Sequence, residues 1–160
     1  MTEEAESVTR GAADLAEVLE LLRKMSMEVH AFLADAGRAA GLNAIDVACI
    51  GIARQAERDG VHLSAGMLSH RLGLSPAATT ALLDRMGRHG LVTRERSADD
   101  ARVVLIRITD RARELGREMF QPLNEAYVKA LQGKTDSVGG LIPVLQQLVE
   151  STESAREAHS

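Results

Sequence analysis

Cysteine is nearly absent: Cys49 is the only one in 160 residues, so an internal disulfide is excluded and no thiolate zinc site can be built from it alone. Long apolar runs are missing too. The longest strongly apolar stretch, Val103 to Ile106, falls far short of the roughly 20 residues that span a bilayer. The opening Met1 to Glu6 is acidic where a signal peptide would be basic. The expectation is a cytoplasmic chain without a membrane segment. Catalytic motifs are likewise lacking: there is no phosphate-binding glycine loop and no nucleophile elbow. His30, His62, His70, His89 and His159 are scattered, with no i, i+4 pair and no nearby carboxylate cluster. The sequence therefore predicts no enzyme, no catalytic residue, no metal and no cofactor. Aromatic residues are confined to Phe32, Phe120 and Tyr127.

What is present is a soluble globular composition, 45% hydrophobic and 26% charged over a 17.2 kDa chain, the size of one domain. Nineteen basic against 23 acidic residues leave a net charge of -4, but the distribution is uneven. Gly60 to Arg113 holds nine basic residues, all arginine, and five acidic ones, so the middle of the chain is +4 and its flanks together are -8. Arginine's planar fork suits bidentate contacts to phosphate or guanine. A solvated face of ordinary ion pairs is the alternative, and charge alone favours it.

Helical periodicity predicts a first helix from about Ala12 to Ala40, its stripe running through Leu15, Val18, Leu22, Met25, Val29 and Leu33. Gly41 is a stop, and Asn43 can cap a second helix with the buried stripe Ile45, Ala48, Cys49, Ile52 and Ala56. Cys49 on that stripe reads as inert core, because no cation adjoins it in sequence. Val61 to Leu63 is a short extended piece. Ser64 then caps a brief helix that ends at Gly73, and Ser75-Pro76 starts the next, with Pro76 at the first helical position where its missing N–H costs nothing. That helix buries Thr79, Leu82, Leu83 and Met86 and runs to about His89. Leu91 to Arg96 and Arg102 to Ile108 alternate as a hairpin around the polar loop of residues 97–101. Thr109 or Asp110 caps a further helix in which Pro122 predicts a kink. A last helix begins near Ser137, and the polar end from Ser151 is expected to fray.

A short helix, a tight turn, a second helix and a hairpin is the order of a winged helix-turn-helix. A generic helix pair beside a hairpin has the same pattern. The run Leu68-Ser69-His70-Arg71-Leu72-Gly73-Leu74-Ser75-Pro76-Ala77-Ala78-Thr79-Thr80, then Leu82-Leu83-Asp84-Arg85-Met86 and Gly90-Leu91-Val92, resembles the MarR family of bacterial transcriptional regulators. The wing residues Asp100-x-Arg102 with Ile106, Ile108 and Thr109 are similar to that family's Asp-x-Arg-x-x-x-Val-x-Leu-Thr signature.

The resemblance implies a mostly α fold with a small β-hairpin wing, a winged helix-turn-helix lobe at residues 44–109. A helical dimerisation region would come from residues 12–40 and 110–153, and residues 154–160 would be a frayed tail. It implies a homodimer whose first and last helices interdigitate, so long helices with few aromatics gain a partner surface. The partner would be double-stranded DNA, bound at a pseudo-palindromic operator with half-sites about one helical turn apart. On the recognition helix the implied contacts are Ser75, Ala77, Ala78, Thr80, Ala81, Arg85 and Arg88. On the wing they are Arg94, Arg96, Asp100 and Arg102, with Asp100 orienting Arg102 toward the minor groove. Relatives often carry arginine where this chain has Ala81 and Ala101, so base readout would rest on Thr80, Arg85 and apolar contact from Ala77 or Ala78 to thymine methyls.

Many members of the family are repressors released by a small aromatic acid or similar effector, and Met25, His30 and Ile50 are the candidate ligand contacts, with core packing as the other explanation of each. Others sense peroxide through a cysteine, but Cys49 is away from the N-terminal position those sensors use. The rival reading is a winged-helix module that binds protein and no DNA.

Overall fold

A computed structural model describes residues 2–97 and 103–158. Among them are six helices and one two-stranded sheet: α1 (Thr2–Ala39), α2 (Ala44–Arg58), α3 (Ala65–Leu72), α4 (Pro76–Arg88), β1 (Val92–Arg96), β2 (Val104–Ile108), α5 (Asp110–Leu131) and α6 (Thr135–Glu157). The mostly α architecture with a small hairpin is the one expected. Residues 98–102, which include the predicted wing-tip pair Asp100 and Arg102, lie outside the described residues.

Local chemistry starts each helix of the central region. Asn43 and Asp46 form a reciprocal capping box at α2: the Asn43 side chain accepts from the Asp46 N–H at 2.9 Å, and the Asp46 carboxylate accepts from the Asn43 N–H at 3.1 Å. Ser64 caps α3 by accepting from the Met67 N–H, and Ser75 caps α4 by accepting from the Ala78 N–H, both at 3.2 Å. Thr109 does two things at once, accepting from the Ala112 N–H at 3.2 Å and donating to the Gly90 carbonyl at 2.7 Å. It thereby ties the start of α5 to the turn after α4. That turn needs Gly90 itself, whose φ of 66° is the left-handed region costly for any side chain. Gly73, at φ 64°, performs the same reversal between α3 and α4.

The hairpin is antiparallel, with Val92 opposite Ile108 and Arg96 opposite Val104. The extended piece expected near Leu63 adds a single rung: the Ile106 N–H donates to the Leu63 carbonyl at 2.8 Å, and Ser64 bridges to Leu105. The core beneath is assembled from α2 (Cys49, Ile50, Ala53), Leu68 of α3, the predicted α4 face (Leu82, Leu83, Met86), the hairpin (Val92, Ile106, Ile108) and Ala112 and Met119 of α5.

Several boundaries differ from the sequence reading. α1 extends upstream of Ala12 to Thr2, and the strands are shorter than expected by one or two residues. α6 continues to Glu157, so Ser151 to Glu157 are helical rather than frayed. Neither glycine nor proline follows Pro143, and the Ser151 and Thr152 hydroxyls donate back to the Gln147 and Leu148 carbonyls, keeping their polarity inside the helix. The inward face of α2 is also rotated from the predicted stripe. Ile45 and Ala48 are exposed and Ile52 is half-buried, while Asp46, Val47, Ile50 and Ala53 are buried beside Cys49 and Ala56.

The chain divides into two compact units, Met1–Phe120 and Gln121–Ser160. The first contains α1 to β2 and the start of α5, and the second the end of α5 and all of α6. Within the second, the end of α5 and the start of α6 enclose an apolar cleft of about 480 Å³ lined by Tyr127, Val128, Leu131 and Val138 with Asn124 and Gln132.

Candidate DNA-binding face

The serine-proline start of α4 presents a small, nearly uncharged surface. Ser75, Ala77, Ala78, Thr80 and Ala81 are exposed, while Thr79 between them is 2% exposed and faces the core. Burying Thr79 leaves its hydroxyl satisfied, donated to the Ser75 carbonyl at 3.0 Å. Thr80 donates in the same way to Pro76, also at 3.0 Å. Its oxygen is therefore left as an acceptor facing outward.

Behind this surface, α4 and β1 flank a cleft of about 630 Å³ lined by Ala81, Leu83, Asp84, Gly87, Arg88, Val92 and Arg94. Arg94 crosses from the hairpin to the helix: its Nη2 pairs with Asp84 Oδ1 at 2.7 Å and donates to the Thr80 carbonyl at 3.3 Å. On the hairpin, Arg107 pairs with Glu95 on the neighbouring strand at 2.9 Å. Arg88 and Arg96 are exposed and make no ion pair among the described residues. The wing and the recognition helix are thus joined by one arginine, and two further arginines stay available to an anion.

Arg85 has a different environment from the other arginines in the site. Its Nη2 and Nε donate to Asp46 Oδ1 at 2.6 and 3.2 Å, across 39 residues of sequence. Asp46 is 4% exposed, and its other oxygen is held by the capping box. Asp46 and Asp84 are the residues of this face that the sequence reading missed. The first carried a signal in its Asn-x-x-Asp spacing; the second had none, because only the fold brings Arg94 to it.

The candidate ligand contacts are not alike either. Ile50 is 1% exposed and enclosed by the core, whereas Met25 and His30 are exposed on α1. The His30 ring lies 2.7 Å from the Ser26 carbonyl of its own helix. Cys49 is fully buried, and burial, with the adjacent Asp46 carboxylate adding to it, pushes its thiol up to about 12.

A family model described as the MarR family matches residues 57–104, the stretch from the end of α2 to the start of β2. Over a longer span, the chain is 32% identical across 119 residues to YcgE of Bacillus subtilis strain 168, described as an uncharacterized HTH-type transcriptional regulator, covering 74% of each protein. The chain belongs to the MarR family. Among solved structures, a MarR-family protein from Bacillus stearothermophilus matches with a TM-score of 0.66 at 23% identity, covering 87% of this chain and 95% of that one. A variant of S. aureus MepR bound to an oligodeoxyribonucleotide matches with a TM-score of 0.56 at 18% identity, covering 84% and 97%. Those likenesses establish the winged-helix fold, and the MarR family is one of DNA-binding transcriptional regulators. In this MarR-family chain, α3 and α4 are the helix-turn-helix and β1 and β2 the wing.

Proposed function

We propose that this MarR-family protein is a sequence-specific repressor that binds a pseudo-palindromic operator as a homodimer in the cytoplasm and is released by a small-molecule effector. The observation that carries the DNA-contacting part is the exposed first half of α4, small residues on a helix whose opposite side is buried, beside an arginine-bearing hairpin. A helix of about 10–12 Å diameter enters the major groove, and the lack of long side chains at Ala77, Ala78 and Ala81 lets the backbone approach closely. Alanine methyls suit thymine methyls, and the outward Thr80 oxygen suits an adenine or cytosine amino group. Arg88 and Arg96 would then contact phosphate while Arg94, paired with Asp84, holds the hairpin against α4, and Arg102, oriented by Asp100, would enter the minor groove as the resemblance implies.

Dimerisation is supported by apolar side chains left exposed on two elements: Leu15, Val18 and Leu19 on α1, and Leu141, Ile142, Leu145 and Val149 on α6. Contiguous stripes of that kind are characteristic of association surfaces. Effector response rests on family membership. With Ile50 enclosed, Met25 and His30 are the contacts left accessible to a ligand. The experiment is to enrich duplexes from a random-sequence pool and measure binding of the winner against salt. Counterion release predicts an affinity that falls steeply between about 50 and about 200 mM. No enrichment, or an affinity indifferent to salt, would instead favour a winged-helix module that binds protein.

A further inference from the structure

Arg85 sits on the recognition helix and, from sequence, is a candidate reader of bases. Three observations give it another task. Its guanidinium already spends two donors on Asp46 Oδ1, at 2.6 and 3.2 Å. That carboxylate is 4% exposed on α2, with Oδ2 occupied by the Asn43 N–H, so withdrawing Arg85 would leave a buried charge uncompensated, a strongly unfavourable state. Finally, helical rise places Arg85 about 10 Å further along α4 than Ala78, whereas base edges are met by the first turns of a recognition helix.

We propose that Arg85 is a positioning residue: paired with Asp46, it holds the recognition helix against the start of α2, and it acts on DNA recognition through that placement without reading a base. The hydrophobic driving force that buries Leu82, Leu83 and Met86 is non-directional and sets proximity more than orientation. A short ion pair, in which two donors of a partly exposed guanidinium converge on one oxygen of a buried carboxylate, restrains rotation and register as well as proximity. The same carboxylate starts α2, so the capping box and the recognition helix are set by one side chain.

This inference rests on the DNA-binding reading above, and the test separates the two. Arg85→Gln, Asp46→Asn, their double variant and Arg88→Gln are compared on the duplex that the parent protein enriches from a random pool. Arg85→Gln and Asp46→Asn are each expected to weaken binding about tenfold, to do so evenly over base substitutions throughout the half-site, and to keep the parent's salt slope. The double variant should be no weaker than either single one. Arg88→Gln, by contrast, should make the slope shallower by about 0.9 per subunit.

The proposal is overturned if Arg85→Gln loses preference at one base pair or takes the shallower slope while Asp46→Asn binds as the parent does. If no duplex is enriched, the DNA-binding reading fails, and amide exchange still decides positioning. Protection over Thr79 to Arg88 should drop in Arg85→Gln and Asp46→Asn without DNA, and unchanged protection refutes the coupling. Arg85→Gln, altering a partly exposed side chain, keeps the test open should Asp46→Asn not fold.

Discussion

Gly37→Ala is the most direct probe of how α1 is seated on the winged lobe. A Cβ at Gly37 would stand 2.7 Å from Val47 Cγ2 and 3.4 Å from the Leu42 carbonyl oxygen. Carbon atoms pack at about 3.5–4.0 Å, so Val47 would have to retreat by roughly 1 Å. It has little freedom to do so, being 5% exposed and β-branched, with one strongly preferred rotamer on a helix. Overpacking of this kind costs about 1–3 kcal/mol. Alanine's better helix propensity returns at most about 1 kcal/mol, and less here, since α1 ends at Ala39. The expected net loss is about 1 kcal/mol, or about 2–4 °C in Tm for a chain of this size. Urea and thermal unfolding measure it. In the double variant with Val47→Ala the methyl groups no longer collide, so the two changes should couple favourably by about 1 kcal/mol. A Gly37→Ala protein more stable than the parent, or a strictly additive double variant, would refute the close approach of α1 to α2.

Cys49→Ala should leave DNA binding and its response to peroxide unchanged, and the folded parent should resist thiol reagents at neutral pH; peroxide-induced release from DNA that vanishes in Cys49→Ala would make the residue a sensor. Because its folded pKa is raised from 9.0 to about 12, the unfolded chain loses this proton first, so stability should fall as pH rises from about 9 toward about 12. Unfolding of Cys49→Ala should show a shallower decline over that window. Arg102→Ala should weaken operator binding without unfolding the protein and make the salt slope shallower by about 0.9 per subunit, roughly 1.8 per dimer, with Asp100→Ala milder. Lower Tm with unchanged affinity and slope would mean that the pair only braces the hairpin. Light scattering should give a mass near twice 17.2 kDa at micromolar concentration; a concentration-independent monomer would remove the two-half-site operator.

The helix starts at Asn43, Ser64, Ser75 and Thr109 were legible because capping is a transaction between residues three apart, and every one of those bonds is present. The buried face of α4 was legible for a related reason. Thr79, Leu82, Leu83 and Met86 are spaced by the helical period and carry no charge, so periodicity alone sorts them inward. The winged-helix order followed from those two local rules together with the alternation of Val104, Ile106 and Ile108.

Rotation of α2 was not legible, and the reason is electrostatic. Periodicity gathers the apolar side chains, so the predicted stripe takes in Ile45 and Ala48 and passes over Asp46. In the fold, Asp46 is buried because Arg85, 39 positions away, compensates its charge at 2.6 Å. The bond from Arg94 to Asp84 is of the same kind, joining helix to hairpin over a separation that no local pattern encodes. Sequence thus determines which segments become helices and where each begins, since those preferences act within a turn. Tertiary structure decides which face turns inward and which arginines stay available to DNA, because the cost of burying a charge depends on the partner that folding brings beside it.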